Sequence, residues 1–327
     1  MKLHLDKKLF RQAVQFTSDQ MQIPATFIEK DYWVTYTLFT IFNDKIGSNT
    51  VFKGGTALSK CYNIIERFSE DIDLIVLRRA GESNNKLTTK IRTISNIVSD
   101  VLPEIKIAGL THKMGMNRKT AHSYNKEFKG DYGQVRDVIV VEATWLGYFE
   151  PYTTKSVCSF VGEMMINNGQ NEMAEEQVLL PFNVLVLEPS RTICEKIMSL
   201  VRFSYGEDPI TDLRNKIRHV YDLNQLLSVK ELLTFFKSNE FDTMLLKVAQ
   251  DDVISFKNNN EWLKNHPVNS LIFEKPEKVW DDLKSVYESD FKNLVYGSFP
   301  KETALLSTLI LIQKRIAAIN WNIKFEN

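Results

Sequence analysis

The chain has 327 residues, with 41 Lys and Arg against 41 Asp and Glu, 43% apolar and 25% charged residues. This composition excludes wholesale disorder, and the zero net charge excludes a general positive field that would draw in a polyanion. No run of eighteen apolar residues is present, which excludes a helical membrane span, and the opening MKLHLDKKLFRQ lacks the apolar stretch of a secretory leader. Cys61, Cys158 and Cys194 are too few and too scattered for a disulfide framework or a metal-binding pair, so the expected compartment is a reducing cytoplasm.

In chain order, residues 4–17 and 24–43 read as helices, the second with Phe27, Tyr32, Trp33, Leu38 and Phe42 near helical spacing and Pro24 in its first turn. Residues 51–53 read as a short strand running into Gly54-Gly55, 56–67 as a helix and 72–77 as a β-branched strand. A helix over 86–102, ended by Pro103, precedes a strand at 105–110. Residues 111–129 are polar and basic and read as a loop or distorted hairpin, 137–146 as a strand, and 182–187 as another. From there the period turns helical, over 192–203, 212–227, 229–238, 241–256, 276–293 and 301–321, with a possible capping box from Thr192 to Glu195. The expected class is α+β or α/β: N-terminal helices over 1–50, a mixed sheet flanked by helices over 51–188, and a helical domain over 189–327.

Chemistry concentrates in Lys53-Gly54-Gly55-Thr56-Ala57-Leu58 and Arg67-Phe68-Ser69-Glu70-Asp71-Ile72-Asp73-Leu74. Two glycines after a strand let the backbone turn tightly and approach a ligand, and the N–H groups of the following helix suit phosphate oxygens. Asp71 and Asp73, one residue apart on a strand, point to the same face. Two such carboxylates repel unless a cation lies between them, and oxygen ligands suit Mg²⁺ or Mn²⁺ carrying a triphosphate. Alone, a Gly-Gly pair reads as a turn and an Asp-x-Asp as a solvated strand edge. In the order strand, Gly-Gly, helix, Asp-x-Asp strand, they describe metal-dependent nucleotidyl transfer.

These residues resemble the signature of the AbiEii/AbiGii toxin family, within the DNA polymerase β-like nucleotidyltransferases. Ile28-Glu29-Lys30-Asp31-Tyr32-Trp33-Val34 is similar to the family's N-terminal helix. Fifteen residues separate Gly55 from Asp71, and a longer helix between them is read as a marker of this branch. The resemblance implies nucleotide binding by Gly54, Gly55, Thr56, Ser69 and Lys196. It also implies a third metal-holding carboxylate, for which Glu142 fits and Asp137 is the fallback. Lys196 resembles the lysine of the family's third motif and Asp222 the acid of its fourth, with Arg218 one turn before it; His219 reads as structural. The implied reaction moves an NMP from an NTP to an acceptor hydroxyl, with pyrophosphate leaving. The implied acceptor is RNA, such as the 3′ end of tRNA, and the implied partner is an AbiEi-like antitoxin.

For an RNA acceptor, Lys113, Arg118, Lys119, His122, Lys126 and Lys129 form a basic segment with Tyr124 and Phe128 as stacking rings. Arg191, Lys196, Arg202, Arg214, Lys216 and Arg218 offer a second positive cluster. Modification of a small molecule such as an antibiotic, modification of a protein side chain, and a non-catalytic nucleotide-binding module are the alternatives. The remaining histidines lack metal-ligand spacing, and there is no Walker-type loop.

Overall fold

A computed structural model describes residues 1–69, 71–130 and 135–325; Glu70 of the Asp-x-Asp segment lies outside them. The chain divides into two compact units, one of 1–63, 68–145 and 152–186, the other of 64–67, 146–151 and 187–327. Among the described residues no helix is long and apolar enough to cross a membrane.

The first unit is built on a mixed sheet. Its strands are β1 (Thr50–Lys53), β2 (Asp71–Val76), β3 (Glu104–Ile105), β4 (His112–Met114), β5 (Asn117–His122), β6 (Ile139–Thr144), β7 (Tyr152–Val157) and β8 (Phe182–Leu187). Their order is β3-β5-β6-β2-β1-β8-β7, with β4 on β5. β2 runs antiparallel to β1 and parallel to β6, so it is a central strand, and Ile72, Leu74, Ile75 and Val76 are buried. The helices of this unit are α1 (Lys7–Met21), α2 (Ala25–Phe42), α3 (Gly54–Lys60), α4 (Asn84–Ser99), α5 (Phe160–Asn167) and α6 (Asn171–Glu176).

α2 is buried almost all round, which explains its weak amphipathicity. It carries three consecutive charged residues inside, and each is satisfied by a different segment. Glu29 accepts from the Glu127 and Phe128 amides at 2.7 and 3.1 Å, and Lys30 donates to the Arg136 and Val138 carbonyls. Asp31 pairs with Lys60 at 2.5 Å and accepts from the Phe160 amide at 2.7 Å. Buried charges are tolerated only with such partners, so this triplet pins the lead-in to β6 and the far end of α3 to one helix.

Several expectations are corrected. The helix after the glycine pair ends at Lys60: Asn63 takes a left-handed φ of 52°, and no helix continues to Arg67, which bridges Val295. The longer helix read as a branch marker is therefore a short helix followed by a non-helical segment. The strand at 105–110 shrinks to Glu104–Ile105, and the basic stretch forms the β4–β5 hairpin. β7, α5 and α6 were absent from the sequence reading.

The second unit is helical: α7 (Pro189–Phe203), α8 (Pro209–Arg214), α9 (Ile217–Ser228), α10 (Lys230–Lys237), α11 (Asn239–Ser255), α12 (Leu271–Glu274), α13 (Pro276–Val286) and α14 (Glu302–Ile316). α7 starts at Pro189, not at a Thr192 cap; the Thr192 hydroxyl donates back to the Glu188 carbonyl, and Glu195 accepts from Arg191 at 3.0 Å. The single helix expected over 212–227 is two, broken around Asn215-Lys216. The one expected over 276–293 leaves α-geometry at Tyr287.

Candidate active site

β1, β2, β6 and β5 set the site by register alone. Lys53 lies opposite Asp73, Asp73 opposite Glu142, and Glu142 opposite Lys119. Directly paired residues share a face, so four strands carry two adjacent carboxylates flanked by two cations. Asp71 lies two residues earlier on the same face of β2, about 7 Å away along the strand.

Gly54 makes this arrangement possible. Its φ is +80°, and a Cβ there would stand 2.2 Å from Oδ2 of Asp73. The backbone at the start of α3 thus approaches the carboxylate more closely than any other residue type permits. Gly55 and Thr56 follow in the first turn of α3; Thr56 is buried, and its hydroxyl donates to the Asp71 carbonyl at 2.6 Å, tying α3 to β2. Ser69 is half-buried just ahead of β2.

The electrostatics separate the three acids. Partial burial and then the Asp71 and Glu142 carboxylates push Asp73 up to about 7, against Lys53 and Lys119. Burial also works against ionised Glu142, but the charge and hydrogen bond of Lys119 outweigh it and hold the carboxyl below its usual range. Lys119 donates to Oε2 at 2.8 Å and the Asn117 amide to Oε1 at 2.9 Å. Arg136 stands 3.5 Å from Oδ1 of Asp71, and that oxygen is buried. Asp137, the fallback acid, is exposed, lies ahead of β6 and pairs with Lys126.

Two same-face aspartates, one destabilised as a carboxylate by its acidic neighbours, fit a hard divalent cation that also takes substrate phosphates. Among the described residues, no three His, Cys, Asp or Glu side chains converge as a ready-made cage. The donor set therefore suits Mg²⁺ or Mn²⁺ shared with a triphosphate rather than an ion fully enclosed by protein.

Lys196 and Asp222 come together in the helical unit. Asp222 is fully buried, and Arg67 grips it through Nε to Oδ1 and Nη2 to Oδ2, each at 2.7 Å; Lys196 Nζ adds a 2.7 Å bond to Oδ2. Burial opposes the charge, but these two cations outweigh it and hold the carboxyl well below the usual range. Asp222 is thus a fixed anion holding two cations. His219, one helical turn away, is kept neutral by burial and by the Lys196 and Lys216 charges.

The basic stretches differ from the sequence expectation. Lys113 pairs with Glu104, Arg118 donates to Ser95, Lys119 pairs with Glu142, and Lys126 with Asp137. His122 is buried between the Leu102 carbonyl and the Thr120 hydroxyl. Tyr124 is buried and stacked on Trp33 with centroids 5.6 Å apart, so it is no platform for a base. In the helical unit Arg191 is 1% exposed and bound to Asp251 and Glu195. These residues build the fold: Lys113, Lys119, Lys126 and Arg191 are matched by acids, and Arg118, His122 and Tyr124 by neutral partners. Sequence reasoning missed Asn117, Lys119, Arg136 and Arg67 as companions of the acids. Asn117 and Lys119 carried one signal, period-2 placement of polar groups on a strand.

No curated protein matches the sequence. Among solved structures, the chain is similar to JHP933 from Helicobacter pylori, 14% identical with a TM-score of 0.45, covering 88% of this chain and 94% of that one. It is also similar to MenT4, a nucleotidyltransferase toxin from Mycobacterium tuberculosis H37Rv, 15% identical with a TM-score of 0.46, covering 91% and 98%. Likenesses this distant say nothing of ligand or chemistry. The sequence profile that matches, over residues 37–305, is that of the nucleotidyl transferase AbiEii toxin of type IV toxin–antitoxin systems. With most of its length matched, including β1, α3, β2 and β6, this chain belongs to the AbiEii family of nucleotidyltransferase toxins.

Proposed function

We propose that this nucleotidyltransferase is metal-dependent, that it transfers an NMP from an NTP to an acceptor hydroxyl, and that the acceptor is RNA such as the 3′ end of tRNA. The observation that carries the site is Asp71 and Asp73 on one face of β2, with the Gly54 backbone pressed against Asp73. A divalent cation there, Mg²⁺ or Mn²⁺, would polarise the transferring phosphate and lower the pKa of the attacking hydroxyl. Asp71 and Asp73 would hold that ion, and Gly54, Gly55 and Ser69 would leave room for the triphosphate beside it. Residues 51–188 would form the catalytic core, and 189–327 a helical domain in which Asp222 fixes Lys196. The RNA acceptor, the cytoplasmic setting and an AbiEi-like antitoxin rest on family resemblance.

The test is incubation with total RNA, Mg²⁺ and each labelled NTP in turn. Label in RNA, absent with Asp71→Asn or Asp73→Asn, is the expected result. Label in the protein or in a small molecule, with RNA unlabelled, would overturn the RNA assignment.

A further inference from the structure

Glu142 occupies the position from which a third carboxylate would reach a metal, yet both of its oxygens are already engaged. Lys119 and Asn117 reach it from the neighbouring strand β5, at 2.8 and 2.9 Å, through a register that puts all three on adjoining positions of one face. Asp71, by contrast, has Arg136 at 3.5 Å, and that guanidinium is 46% exposed while the Lys119 side chain is 19% exposed. Although Oδ1 of Asp71 is buried, a pair this long with a half-exposed guanidinium is weak, about 0–1 kcal/mol, and yields to a divalent ion. A shorter, more buried pair with an added amide hydrogen bond does not.

We propose that Lys119 and Asn117 withdraw Glu142 from the ligand set, so that the chain holds one divalent cation on Asp71 and Asp73, and Lys119 supplies the remaining positive charge. This rests on the reading of Asp71 and Asp73 as metal ligands. Glu142 is then a positioning residue: it holds the Lys119 ammonium beside the two aspartates, opposite in the row to Lys53.

Mn²⁺ titrated into the whole protein and followed by electron paramagnetic resonance counts bound ions without any turnover. The wild type, Glu142→Gln and Lys119→Arg are each expected to take up one ion, and Lys119→Met, which frees Glu142, two. Two ions in the wild type, falling to one in Glu142→Gln, would overturn the assignment while leaving the aspartate site intact. One ion in Lys119→Met would overturn the role given to Lys119. Uptake by Asp73→Asn equal to wild type would place the ion elsewhere and overturn the metal-site reading as well.

Discussion

Replacing Gly54 by alanine separates stability from chemistry at this site. The φ of +80° costs an L side chain about 1–3 kcal/mol, which corresponds to a fall of a few degrees in melting temperature. The new Cβ would stand 2.2 Å from Oδ2 of Asp73, where ordinary contact begins near 3.4 Å. The clash is with the free end of a side chain, so rotation of the Asp73 carboxylate by about 1 Å relieves it cheaply in stability. Misplacing a reacting group by that distance costs about 100-fold in rate. Gly109→Ala is the control: its φ is +75°, and nothing lies within 4 Å of the added Cβ. Both variants should melt a few degrees below wild type, while nucleotide incorporation falls about 100-fold only in Gly54→Ala. Equal activity in the two would refute the claim that close approach to Asp73 serves catalysis.

Asp222→Asn leaves the buried Arg67 and Lys196 charges uncompensated, and urea unfolding should show a loss of about 3–5 kcal/mol. Because this carboxyl is held below its usual range in the folded protein, its contribution is present at neutral pH and is lost as pH falls through that range; the variant should lack that acid-side loss. Asp73 has the opposite sign. Its folded value of about 7 exceeds the ordinary 3.8, so its contribution is full below 3.8 and is lost as pH rises through 7. Metal-free wild type should therefore lose stability relative to Asp73→Asn between pH 4 and 7, and Mg²⁺ should reduce that difference; pH-dependent thermal melts check both. Tyr124→Ala should cost about 3–5 kcal/mol through the lost burial and the cavity left beside Trp33, with RNA binding by filter retention unchanged per folded molecule.

Much of the site was legible because its signals are local. The glycine pair lies against a strand, Asp71 and Asp73 alternate on the next strand, and Glu142 sits in an apolar run that reads as a central strand. What was not legible depends on pairing between distant segments. Ile64 and Ile65 continue a helical apolar spacing, so nothing local shows that Asn63 turns left-handed and sends Arg67 to Asp222. The partners of Lys119, Arg118 and Lys126 are fixed by the register of β5 and β6 and by α4, and a basic segment looks the same whether or not acids await it. β7 is mostly exposed and lacks the apolar alternation by which a strand is recognised. Nothing local in the charge triplet on α2 shows that all three of its side chains are buried.

The most direct measurement of the central claim follows pyrophosphate release and label transfer together, in wild type and in Asp73→Asn of verified fold, with Mg²⁺ present. Equal yields of pyrophosphate and labelled acceptor in the wild type, with both lost in Asp73→Asn, are expected. Undiminished transfer by Asp73→Asn would contradict the placement of nucleotidyl transfer on the β2 aspartates.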